Sequence, residues 1–198
     1  MSAASQSPRT RAEPMAFTRD EFRRGAMRAW GLFLVLLLAA EVVAVMVSDL
    51  IQLIRTGDSH LSSLGYLPIV LGFTLVIGGA ISGLALLIGV PIAFRIATAL
   101  RREARMVVHL TGYGLYGFGF GAVIGGASYA VAFAGSAVSV LAPALFAALI
   151  AGGLSAVAVT LAWWTIVREG LRTDRGVLRP AGRRRIRVDP DAAAEDSL

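Results

Sequence analysis

The sequence contains no cysteine, which excludes disulfides, thiolate metal sites and cysteine nucleophiles. Lysine is absent as well: all nineteen basic residues are arginine. Histidine occurs twice, at His60 and His109, too sparsely for a structural metal site, and no metal or cofactor is expected. Charge is scarce throughout, at 16% of residues against about 25% in an average soluble chain. No HExxH, P-loop, intramembrane Ser-His pair or paired-Asp arrangement is found, so an enzyme is not expected. Asp58 with His60 is too isolated to form a site and reads as a solvated loop.

Apolar residues dominate instead. They make up 56% of the 198 residues, with a mean hydropathy of +0.70, and the charges lie almost entirely outside four long apolar runs. These runs predict spans near 29–51, 66–94, 106–134 and 141–167. Each exceeds the roughly 20 residues needed to cross a hydrocarbon core about 30 Å thick. The expected fold is all-α, a bundle of four transmembrane helices over residues 18–167. It is flanked by a disordered tail (1–17) and by an Arg-rich then acidic tail (168–198). A cleaved signal peptide would have a shorter apolar core and a small-residue cleavage site, so the first run is read as an uncleaved span.

Local signals mark the ends of the spans. Thr18 and Glu21 form a capping-box pattern, with Phe17 and Phe22 at the flanking staple positions. Pro68 and Pro143 suit first-turn positions, where a missing N–H removes no hydrogen bond. Pro91 is placed to kink or end the second helix. Trp163 and Trp164 suit a membrane interface.

The arginines set the orientation. Six lie before the first span, four in the 95–105 connection and eight after the fourth span, leaving Arg55 alone on the other side. By the positive-inside rule, both termini are expected in the cytoplasm. An all-Arg basic set in an Ala-, Gly- and Val-rich chain further suggests a GC-rich bacterial genome and a bacterial plasma (inner) membrane. The pI near 10.9 then needs no nucleic acid, for which motif support is lacking. The expected partners are anionic lipid headgroups and a second membrane protein or a second copy of the chain.

Seven glycines fall between residues 112 and 126. Gly112 to Gly117 match the dinucleotide fingerprint literally, but inside a span rather than after a strand, as that motif requires. At 100° per residue, Gly114, Gly117, Gly121, Gly125 and Ser128 share one face, with Gly112, Gly119 and Gly126 opposite. Two smooth faces predict that this third span lies centrally, between two neighbours.

One charge stands out. Glu41 lies eleven residues beyond Trp30, about 16 Å into the first span and near the midplane. An ionisable side chain there costs about 2.5–3.5 kcal/mol on insertion scales, so it should be neutral, paired or facing water. Counting inward along the other spans brings Ser82, Tyr116 and Ser155 to the same layer. They are expected either as hydrogen-bonding partners that fix packing or as parts of a proton or cation site. Ala40-Glu41-Val42 resembles the first span of the small multidrug-resistance transporters, which have four spans and a mid-span Glu. The resemblance covers a few residues of one helix and implies a transport role for Glu41. This chain is longer, carries Arg-rich tails and lacks a comparable aromatic-rich motif in the third span. The sequence therefore supports a non-catalytic component that packs with itself or another membrane protein, with a small proton- or cation-coupled transporter as the alternative.

Overall fold

The computed structural model describes residues 9, 10, 12–57, 62–134 and 139–174. Asp58, His60 and the basic and acidic clusters beyond residue 174 lie outside the described residues. Within them the regular elements are helical: α1 (Arg19–Thr56), α2 (Ser62–Phe73), a π-helical turn (Thr74–Gly78), α3 (Gly79–Leu100), α4 (Met106–Ala132) and α5 (Leu141–Asp174). The segments α2, π turn and α3 follow one another without a break and form the second span. The result is four helical rods long and apolar enough to cross a membrane, a multi-pass all-α bundle.

Three of the rods, α1, the second span and α5, outrun their apolar runs at one common end. At 1.5 Å per residue, the 38 residues of α1 extend about 57 Å. Its start is fixed by the capping box. Thr18 accepts from the Glu21 backbone N–H at 3.1 Å, and Glu21 accepts from the Thr18 N–H at 2.9 Å. The rings of Phe17 and Phe22 meet at 5.7 Å, as the staple requires. At the other end Gly57 adopts φ 68° and donates to the Leu53 carbonyl, a left-handed cap that glycine enters without a Cβ clash.

Both prolines of the second span lie inside its helices. Pro68 lies inside α2 rather than in its first turn, because the helix begins at Ser62. Pro91 does not end its helix, which continues to Leu100. Pro143 does occupy the first turn, of α5.

The rods form a ring in the order α1, α5, α4 and second span, and the diagonal pairs do not approach each other. The most intimate contact is α4 with α5. A Cβ on Gly117 would fall 2.9 Å from the Ser155 carbonyl oxygen and 3.0 Å from the Ala156 Cα. One on Gly121 would fall 2.6 Å from the Ser155 Cβ. Gly125 packs equally closely on Ala151, and Gly114 faces Thr160. From α5, Gly152 reciprocates against the Phe118 carbonyl.

The predicted glycine face is thus the α4–α5 interface. The second predicted face is not an interface of the same kind. Gly126 joins the α5 contact, Gly112 meets Leu100 of α3, and Gly119 has open space beside it. In this ring no rod is central: α4 lies between α5 and α3, closely against the first and lightly against the second. Small residues on both α4 and α5 let those two backbones meet, and this leaves α4 with only a light contact to α3.

At the terminal end an aromatic cluster ties the ring together. Phe17 stands edge-on to Phe94 and Trp163 at 5.9 and 5.8 Å, Phe22 meets Phe94 at 5.3 Å, and Tyr113 packs on Trp163 at 4.3 Å. Trp163 is therefore buried inside the bundle. Trp164 carries Arg168 over its ring at 3.8 Å. Residues 12–17, expected as part of a tail, are strapped to this end. Met15 N–H donates to the Arg101 carbonyl at 3.3 Å, Glu13 pairs with Arg101 at 3.1 Å, and Arg9 pairs with Glu21 at 3.3 Å. The strap holds because Phe17 and the two ion pairs anchor it, features that an absent apolar period does not reveal.

Gly121→Leu should lower detergent stability by about 1–3 kcal/mol through overpacking. Gly119→Leu, on the open side, should leave the thermal unfolding midpoint close to that of the unmodified protein.

Candidate functional site

Glu41 lies on α1, thirteen residues from Arg28 and fourteen from Arg55. Its side chain is partly buried and accepts one hydrogen bond, from Thr74 Oγ1 at 3.4 Å. That distance lies beyond the usual O–H···O range of about 2.5–3.0 Å, so the contact is weak. Thr74 is the first residue of the π turn. Inserting a residue into a helix shifts the side chains after it by about 100°, and π turns recur at functional positions.

The three residues expected beside Glu41 lie elsewhere. Ser82 accepts from Trp30 Nε1 at 3.0 Å and donates to the Gly79 carbonyl at 3.2 Å. Tyr116 donates to the Gly89 carbonyl at 2.8 Å. Ser155 packs on Gly121. The depth count failed because it began each span at the edge of its apolar run. The Trp30–Ser82 bond shows that the second span is shifted lengthwise against α1. Thr74 precedes Ser82 by eight residues, about 12 Å of helical rise, and this shift brings Thr74, not Ser82, level with Glu41. Leu37 packs against Gly78 in the same register.

Ser82, Tyr116 and Ser155 are nevertheless brought together, around an interior cavity that all four rods line. Leu37 and Gly78 line its end nearest the π turn, and Glu41 lies one helical turn beyond them.

A second carboxylate escaped the sequence reading. Asp49 lies two turns past Glu41 on α1 and is 7% exposed. Neither of its carboxylate oxygens has a hydrogen-bond partner among the described residues. The available signal is its position inside the 29–51 run. Glu41 and Asp49 differ by 80° around the helix, so both fall on one side of α1. No cluster of three potential metal ligands occurs among the described residues.

At the opposite end, His109 is 1% exposed, with Nε2 placed 2.9 Å from the Glu103 carbonyl and its ring stacked on Trp163 at 6.0 Å. It packs within the aromatic cluster, far from either carboxylate.

No protein-family model, no curated protein and no solved structure matches this chain.

A double-mutant cycle between Glu41→Leu and Thr74→Val in detergent unfolding should give a small coupling, about 0.6 kcal/mol as for other interhelical hydrogen bonds. The cycle between Glu41→Leu and Ser82→Ala should give none. Equal coupling in both cycles would contradict the register described.

Proposed function

We propose that this protein is a multi-pass component of a bacterial plasma membrane, with both termini in the cytoplasm, and that it acts without catalysis by packing with another membrane protein or a second copy. The observation that carries the reading is the unmet hydrogen-bonding capacity of Glu41. A carboxyl group can engage several partners, and this one has a single long bond from Thr74. It is only partly buried, so a polar group on a neighbouring transmembrane helix can reach it. The eighteen-to-one arginine split supports the orientation, and the Arg-rich end suits anionic headgroups.

A second reading, a small proton- or cation-coupled transporter using Glu41, is favoured by one specific feature. The carboxylate stands beside a π turn, a place where a helix readily changes geometry. Asp49 adds a second carboxylate farther along the same side.

Two experiments separate these readings. Cross-linking in native membranes, with the unmodified protein, Glu41→Gln and Glu41→Leu, reports assembly. Packing predicts that Gln preserves the cross-linked species, because the amide keeps a donor and an acceptor, and that Leu abolishes it. Ion coupling predicts that Gln leaves assembly and stability intact but abolishes solute-dependent proton uptake in proteoliposomes. A Glu41→Leu variant that assembles and functions like the unmodified protein would defeat both.

Topology is tested with Ser62→Cys and a cysteine in the C-terminal tail, using an impermeant thiol reagent on intact cells. Ser62→Cys should label and the tail should not.

A further inference from the structure

The cavity inside the ring has a volume of about 300 Å³, at the lower end of small-molecule sites, which favour apolar walls with a few placed polar groups. No charged residue lines it. The walls are hydrocarbon and aromatic, with Ala29 and Trp30 from α1, Ala85 from α3 and Tyr116 from α4 among them. Two of the polar groups in the lining are already committed: Ser82 with Trp30 and Gly79, and Tyr116 with Gly89. Four others have no partner among the described residues: Tyr113 Oη and Trp163 Nε1, which are fully covered inside the aromatic cluster, and two serine hydroxyls. Among the described residues, neither the Ser128 nor the Ser155 hydroxyl has a hydrogen-bond partner.

The register of α4 and α5 spaces these hydroxyls. Gly121 stands against Ser155, and Ser128 lies seven residues farther along α4, about 10 Å away. The wall between the second span and α4 is also incomplete. Tyr116 and Phe120 close on Gly89, and Leu100 closes on Gly112. Neither α2 nor the π turn approaches α4 or α5. Past Gly89, towards the π turn, the cavity therefore faces the hydrocarbon of the bilayer.

We propose that this cavity binds an uncharged, mostly hydrocarbon molecule dissolved in the membrane, entering between the second span and α4 and placing a hydroxyl or carbonyl oxygen on Ser128 or Ser155. Absence of charge in the lining excludes an ionic solute, which would be desolvated there without a counter-charge. A hydrocarbon body matches the walls. A serine hydroxyl can donate and accept, so a single oxygen group on the ligand is enough. The site is separate from Glu41, and its occupancy does not depend on which role Glu41 performs.

The test uses the photoreactive alcohol 3-azioctanol on the full chain in lipid nanodiscs, with 1-octanol as competitor and insertion sites mapped by mass spectrometry. The expected result is saturable labelling at Ala85, Tyr116 and Ser155, displaced by octanol. Ala85→Trp should fill the cavity and remove this labelling, while labelling of the outward-facing Leu84 and Leu87 persists. Should that variant fail to fold, Ala29→Phe fills the cavity from α1. Replacing Ser128 and Ser155 together by alanine should weaken octanol competition by about threefold to tenfold, the range of one neutral hydrogen bond. Labelling that never saturates and spreads evenly onto Leu84 and Leu87 would overturn the site. Unchanged competition in the double serine variant would overturn the hydroxyl contact.

Discussion

Inside hydrocarbon two helices gain nothing by hiding apolar side chains from each other, because the lipid tails are equally apolar. Association must come from close contact, and closeness is limited by the side chains between the backbones. In this protein the limit is removed along one seam. Gly114, Gly117, Gly121 and Gly125 present bare backbone to α5, and Ala151, Ser155, Ala156 and Gly152 answer with small groups. No other pair of rods meets so extensively. The ring, its cavity and the position of the aromatic cluster all follow from which two rods are locked together and which two are not.

The remaining closure is made at one end. Phe17, Phe22, Phe94, Tyr113 and Trp163 come from the strap and from α1, α3, α4 and α5, so one cluster joins every rod where the chain termini emerge. Edge-to-face pairs of this kind contribute about 0.5–1.5 kcal/mol each beyond area burial. Ion pairs at the same end, such as Arg28 with Glu169 at 2.7 Å and nearly half exposed, contribute little by comparison. Aromatic packing therefore does more than the exposed ion pairs to close this end, beside the strap's own pairs Arg9–Glu21 and Glu13–Arg101, and the far halves of the rods are less constrained. The second span, which meets α4 only near Gly89 and Leu100, is the rod with most freedom, and it is also the one that carries the π turn.

Much of this was legible in the residues. Four spans, the capping box at Thr18, the staple of Phe17 on Phe22 and the packing face of Gly117, Gly121 and Gly125 follow from period, spacing and composition, all local properties. What the sequence misread depends on how one rod is placed against another. Counting from span edges puts Ser82 in the layer of Glu41, and nothing local to Ser82 announces its bond to Trp30. The π turn has no composition signature that separates Thr74–Gly78 from the apolar helix around it. The strap at residues 12–17 lacks periodicity and is held by distant partners. Each miss is a tertiary fact, invisible to arguments made along a single helix.

Energetics give the last step concerning Glu41 and Asp49. A carboxylate near the bilayer centre costs about 2.5–3.5 kcal/mol on insertion scales, falling towards the interface. The bond from Thr74 returns about 0.6 kcal/mol by comparison with measured interhelical bonds, and Asp49 has no bond among the described residues to offset its burial. Neither side chain is therefore explained by the stability of the isolated bundle, which rests on α4 with α5 and on the aromatic cluster. An apolar residue at either position would stabilise the bundle more. That deficit supports a use for Glu41 outside the fold itself, met by a group from a neighbouring helix or by an exchanging proton or cation. It also implies that Glu41→Leu should raise the unfolding midpoint of the isolated protein in detergent, while Glu41→Gln moves it much less. A lowered midpoint for Glu41→Leu would mean that the carboxyl group belongs to the packing after all.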